Sequence, residues 1–166
     1  MHFKSVVCFL FALALIQVAS AQTKVSGTLK CDKPDPSYSI PVGNQPDHAY
    51  SILRGKCTWT KALEIGGAQS KDLDLTGFGN FRGARGQVRG DSTGTMSSGD
   101  KVFIIDQGTV TINKDGTATE EGTWSFSGGT GKLKGLKGKG TFKGALTADS
   151  SGTFEVEGEY QLPPAS

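Results

Sequence analysis

The sequence predicts an all-β fold: a single antiparallel sheet of about eight strands closed into a barrel, with a β-sandwich as the alternative architecture. Three observations carry this expectation. Twenty-four glycines are scattered among many serines and threonines. Apolar and polar side chains alternate at period two through the C-terminal half, and no apolar stripe of helical spacing follows residue 21. Consecutive antiparallel strands with open edges invite aggregation, and curling into a closed barrel removes those edges.

At 166 residues the chain has the size of one domain. Residues 1–21 have the pattern of a cleavable export signal: His2 and Lys4 give a weakly basic start, an apolar run extends from Val6 to Ile16, and Ala19-Ser20-Ala21 supplies small residues for cleavage. The apolar run is shorter than the roughly 20 residues that span a bilayer, which argues against stable membrane insertion. The expected mature chain starts at Gln22, is secreted or periplasmic, and forms one barrel domain over residues 22–166. Without residues 1–21 it carries 17 basic and 16 acidic residues, a net charge of +1. Such a balance offers no basic excess for phosphates, so nucleic acid is excluded as a partner.

Two cysteines remain beyond the signal, Cys31 and Cys57, and in an exported chain a pair is expected to form a disulfide. Closing a loop of about 25 residues contributes roughly 3–4 kcal/mol in the chain-entropy account. His48 is the one histidine outside the signal. A zinc site would need more soft ligands, so no metal and no cofactor are expected.

Taken in order, residues 25–31 open the sheet. Residues 32–47 carry Pro34, Pro36, Pro41 and Pro46, which forbid helix and interrupt ladders, and are expected to form an extended surface loop ending at an exposed His48. Residues 49–54, 57–65 and parts of 73–89 are further strands, weakened at Gly77, Gly79, Gly83 and Gly86. Residues 93–96 turn through Ser97-Ser98-Gly99-Asp100 into a strand over 101–113, which returns through Asn113-Lys114-Asp115-Gly116 over 117–127. The last hairpin joins 139–147 to 153–162. There Phe154, Val156, Gly158, Tyr160 and Leu162 share one face and Glu155, Glu157 and Glu159 the other, and matching the apolar faces sets lysines of the preceding strand across from these glutamates.

Residues 122–144, GTWSFSGGTGKLKGLKGKGTFKG, hold a strand, a GGTG reversal and a glycine-rich return. Leu133 and Leu136 are three apart, which suits one helical turn plugging a barrel end rather than a strand. This stretch resembles the corresponding one in barrels related to allene oxide cyclase and the plant dirigent proteins, and especially in exported bacterial proteins with such calycin-like barrels. The resemblance runs from about Thr93 to Tyr160, with Leu133 standing where those proteins often carry Phe. It implies one of two activities, cyclisation of a reactive fatty-acid epoxide or steering of phenoxy-radical coupling, and assembly into homo-oligomers. It transfers no catalytic residue, because the matching positions are turn and packing positions.

Asp106 shares parity with Val102, Ile104 and Val110, and Glu120 with Trp124 and Phe126, so regular strands aim both carboxylates inward. They are the candidate acid and base if the protein is an enzyme. The competing expectation, favoured on sequence grounds, is a β-bulge near Gln107-Gly108 or Glu120-Glu121 that returns them to solvent. Trp59, Trp124, Phe126, Phe142, Phe154 and Tyr160 are the candidate ligand-binding wall for a small hydrophobic molecule, or a solid core. Gly90-Asp91-Ser92-Thr93-Gly94 matches GxSxG, but the expected context is a polar turn, without the helix or downstream histidine of a hydrolase. Arg82, Arg85 and Arg89, with the lysines of 132–143, are explained as solvated strand faces. The function expected is a non-enzymatic binding or surface-interaction module; the alternative is a cofactor-free cyclase or isomerase.

Overall fold

In the computed structural model, which describes residues 22–43 and 45–163, ten strands form a single sheet. They are β1 (Thr23–Cys31), β2 (Ser37–Pro41), β3 (His48–Lys61), β4 (Glu64–Ile65), β5 (Ala68–Arg82), β6 (Arg85–Met96), β7 (Lys101–Ile112), β8 (Ala118–Gly129), β9 (Lys137–Leu146) and β10 (Gly152–Gln161). The export signal with its cleavage point near Ala21 lies outside the described residues.

Eight of the strands close on themselves. The ladder runs β3, β1, β10, β9, β8, β7, β6, β5, and a β3–β5 pairing returns it to its start, so every barrel strand has two neighbours, all antiparallel. This is the expected barrel and not a sandwich, whose two sheets would remain separate. β2 and β4 are short additions at the margins, paired with β3 and β5 respectively.

The hairpins follow their turn residues. Ile112 faces Ala118 across a loop in which Gly116 takes φ +85°, a conformation L side chains rarely adopt. In the last hairpin Phe154 faces Gly144 and Val156 faces Phe142, which places Glu155 opposite Lys143 and Glu159 opposite Lys139. Lys24 of β1 also stands opposite Glu159, so this outer face is a charge-matched, solvated surface. The single 3₁₀ turn Gly131–Leu133 follows the GGTG reversal and buries Leu133.

Three expectations are corrected. The proline-rich segment is not all loop: Ser37–Pro41 forms β2, an exposed edge strand ending at proline, where a missing N–H costs least. The strands expected at 49–54 and 57–65 are largely one, because Gly55 sits mid-strand in β3, facing inward, instead of breaking it. Likewise residues 68–82 form one long strand, β5, in which Gly77 and Gly79 occupy interior positions.

The interior is packed by rings set over glycines. A Cβ on Gly140 would lie 2.7 Å from Trp124 Nε1, and one on Gly158 would lie 2.5 Å from Trp124 Cζ2. The indole occupies the space of two missing side chains, and its Nε1 donates to the Glu157 carbonyl at 3.2 Å. Phe142 covers Gly108 and Gly122 in the same way. Gly158→Ala is therefore expected to lower stability by about 1–3 kcal/mol in urea unfolding, whereas Gly43→Ala, whose Cβ meets nothing within 4 Å, serves as the neutral control. Equal midpoints for the two variants would contradict this packing.

Candidate functional site

The barrel interior divides into a plugged half and a hollow half. At the plugged end Leu133 and Leu136 from the GGTG segment meet Leu63, Ile65 and Met96, all at most 3 % exposed. Tyr160 belongs to this plug, where its hydroxyl accepts a hydrogen bond from the Gly66 N–H at 3.2 Å. The sequence places Tyr160 among the ligand-facing aromatics, but it does not line the hollow half.

Above the plug is an apolar chamber of about 110 Å³. Trp59, Trp124, Phe126, Phe142 and Phe154, five of the six aromatic candidates, form its wall. Trp124 and Phe126 meet edge to face with centroids 5.0 Å apart, and Phe142 meets Phe154 at 6.2 Å, arrangements that suit the ring quadrupoles. Cys31 and Cys57 stand directly opposite each other on β1 and β3, and the disulfide between them, as the sequence predicts, is part of the wall.

The chamber continues into a wider vestibule of about 340 Å³ at the opposite end from the plug. Gly55, Gly77, Gly79 and Gly90 line it, and its rim includes Gly116 and Ser150 of the hairpin turns and Pro34 of the proline-rich segment. Gly55 and Gly77 leave space open, whereas Phe81 and Asp106 lean over Gly79 and Gly90.

Asp106 and Glu120 line both spaces, so they mark the neck between chamber and vestibule. The expected bulges near Gln107-Gly108 and Glu120-Glu121 do not form. The β7–β8 register is regular from Ile104 to Ile112, with its one irregularity between Phe103 and Ile104, and both carboxylates stay on the inward parity. Asp106 is opposite Trp124 and Glu120 opposite Val110, with the facing pair Gly108 and Gly122 between them. Desolvation pushes the Asp106 carboxyl up to about 6, aided by the negative charge of Asp91 on the outer face. Desolvation likewise raises Glu120 to about 7, with the charge of Asp106 adding to it.

Ser92 was legible in the sequence only as part of a turn. It lies mid-strand in β6 between Asp91 and Thr93, faces the chamber, and is 6 % exposed. The strand context and the lack of a nearby histidine remove the hydrolase reading of GxSxG. Its shared parity with Val88, Gly90 and Met96 is the signal that marks it as inward.

His48 is likewise not an exposed loop residue. It is 5 % exposed at the start of β3, with Nδ1 2.8 Å from Gln45 Oε1 and Nε2 2.9 Å from Asn80 Oδ1. Arg82 also donates to Gln45 Oε1 at 3.0 Å, which ties the end of the proline-rich segment to β5 on the outer side of the barrel. Arg82, Arg85 and Arg89 are exposed, and Arg89 sits 5.6 Å from the centroid of the Phe78 ring. Among the described residues no three His, Cys, Asp or Glu side chains are placed to hold a metal ion, and no helix is long and apolar enough to cross a membrane.

Fold and site together define a closed, eight-stranded antiparallel barrel with an aromatic-walled interior open at one end. Among solved structures the chain is similar to the pterocarpan synthase dirigent protein GePTS1, at 10 % identity and a TM-score of 0.48 over 96 % of this chain and 100 % of that one. It is also similar to the pterocarpan synthase dirigent protein PsPTS1, at 13 % identity and a TM-score of 0.48 over 87 % of this chain and 97 % of that one. No family model matches the chain, and no curated protein matches it.

The raised carboxyls make stability depend on pH. A carboxyl held above its ordinary value stabilises the folded state while protonated, and that contribution disappears as pH rises through the folded value, here between about 4 and 7. Glu120→Gln is thus expected to stabilise the protein on the order of 1–3 kcal/mol at pH 8 and to change little at pH 4. Superimposable pH–stability curves for variant and wild type would show that Glu120 faces water.

Proposed function

We propose that the protein is an exported, non-enzymatic carrier or scaffold that holds a small hydrophobic molecule inside its barrel. The observation that carries this reading is the aromatic chamber that remains unfilled and runs into an open vestibule. A barrel evolved only for stability would fill such space, since each void forfeits dispersion contacts and costs stability in proportion to its size. Instead, Gly55 of β3 and Gly77 of β5 occupy interior positions beside the vestibule with only a leucine near each. Export is supported by the Cys31–Cys57 disulfide, a bond that persists in oxidising compartments, together with the signal-like residues 1–21.

A second reading is favoured by one specific observation, the two carboxyls at the neck whose proton affinities lie near neutrality. Such groups suit proton transfer, so a cofactor-free cyclisation or isomerisation of a bound hydrophobic molecule is the enzymatic alternative. Turnover of a hydrophobic epoxide that is lost in Glu120→Gln and Asp106→Asn would favour that reading over a carrier.

The carrier reading is tested with N-phenyl-1-naphthylamine, an essentially non-basic fluorophore that brightens in apolar surroundings. Saturable enhancement is expected with the wild type. In Gly55→Leu the added side chain starts from a Cβ that meets only Leu75, at 3.7 Å and beyond, and grows into the vestibule. That variant is expected to fold and to bind at least tenfold more weakly. Absence of saturable enhancement in the wild type would defeat the proposal.

A further inference from the structure

We propose that the molecule held in the barrel is a hydrophobic organic amine, bound as its ammonium ion, with the charged head at Asp106 and Ser92, the charge of Glu120 reinforcing it from the vestibule side, and the apolar body against the aromatic wall. This rests on the carrier reading and adds to it the chemical class of the occupant.

Asp106 and Glu120 project from adjacent strands into a space whose other walls are apolar, and neither carboxylate has a hydrogen-bond partner among the described residues. Around the same space β5, β3, β1 and β10 present Leu75, Cys57, Cys31 and Phe154, and β6 and β9 place Gly90 opposite Asp106 and Gly144 opposite Glu120. Arg89 is the one cationic residue along the vestibule, and its guanidinium stacks on Phe78. The other charges nearby are Asp91 on the outer face, Asp32 at the vestibule, and at the rim Lys33, whose charge is met by Asp149. Carboxylates kept in apolar surroundings without a counter-ion are costly, and a ligand cation removes that cost.

Ser92 adds an independent observation. Its side chain lines the chamber and is 6 % exposed, yet its hydroxyl makes no hydrogen bond to any described residue. Among the described residues no fully enclosed side-chain oxygen or nitrogen lacks a partner, so this hydroxyl keeps its access to the chamber. A hydroxyl in that position is free to accept a hydrogen bond from, or donate one to, a molecule in the chamber. An ammonium head supplies up to three donors and no acceptor, which matches the Asp106 carboxylate and the Ser92 hydroxyl oxygen, two positions apart in register on adjacent strands, and leaves a donor toward the vestibule. The faces of Trp59, Trp124 and Phe154 then give the cation and its apolar body attractive surroundings. A neutral alcohol offers one donor and leaves the carboxylate charge uncompensated, and an anion is repelled.

The test compares three probes of nearly equal size, 2-phenylethylamine, 2-phenylethanol and phenylacetate, by calorimetric titration of the full exported protein. At pH 7.5 the amine is expected to bind at least tenfold more tightly than the alcohol, with phenylacetate weakest. Its advantage should shrink at pH 5, where the carboxyls take up protons, and binding near pH 7 should release protons, read as a dependence of the heat on buffer ionisation. Asp106→Asn should remove most of the preference, and Glu120→Gln and Ser92→Ala each part of it. Should a variant fail to fold, the wild-type probe ranking and its pH dependence still decide. An alcohol that binds as tightly as the amine would overturn the amine assignment while the carrier reading stands. Binding of N-phenyl-1-naphthylamine with none of the three probes would likewise overturn it, and binding of nothing at all would bring down both.

Discussion

The structure depends on one steric constraint: a closed eight-stranded barrel has too little interior for a side chain at every inward position, so large rings require glycines on the strands beside them. Trp124 lies over Gly140 and Gly158, Phe142 over Gly108 and Gly122, Phe126 over Gly138, and Phe154 over Gly144. Each ring lies over glycines of neighbouring strands, and a Cβ at the glycine would collide with ring or backbone atoms. The glycine content that first looks like a sign of weak strands is in this way the condition for closure.

The same constraint divides the barrel by function. Where Leu133, Leu136, Leu63, Ile65 and Met96 meet in the plug the interior is solid, and beside it the rings seated over glycines wall the chamber. Toward the other end glycines outnumber rings; Gly55 and Gly77 face inward with only a leucine near each, and space remains. The two interior carboxyls stand at the boundary between these regimes. They escape the cost of full burial because the vestibule admits water, and they remain partly desolvated because the chamber walls are apolar, which is the physical origin of their raised proton affinities.

Much of this was legible in the sequence because period-two patterning is strong where polar and apolar residues alternate strictly. The hairpin of Phe154, Val156 and Tyr160, the lysine–glutamate facing, the helical turn at Leu133 and the cysteine pair all followed from parity and spacing. The inward aim of Asp106 and Glu120 was also visible in the parity, but a bulge is the ordinary way for a strand to avoid burying a charge. Only the three-dimensional register of β7 and β8 reveals that no such bulge forms. Ser92 and His48 were missed for a related reason: Gly90 and Gly94 disguise a strand as a turn, and the prolines before His48 hide the Gln45 and Asn80 partners that bury it.

The account stands or falls on two carboxylic acids facing a hollow, partly dry interior. Their side-chain carboxyl ¹³C resonances, followed by NMR from pH 3 to 9, report this directly. The structure predicts titration midpoints of about 6 for Asp106 and about 7 for Glu120, with each resonance responding to the other's ionisation. Midpoints near 4 for both, like those of carboxyls in open water, would contradict it.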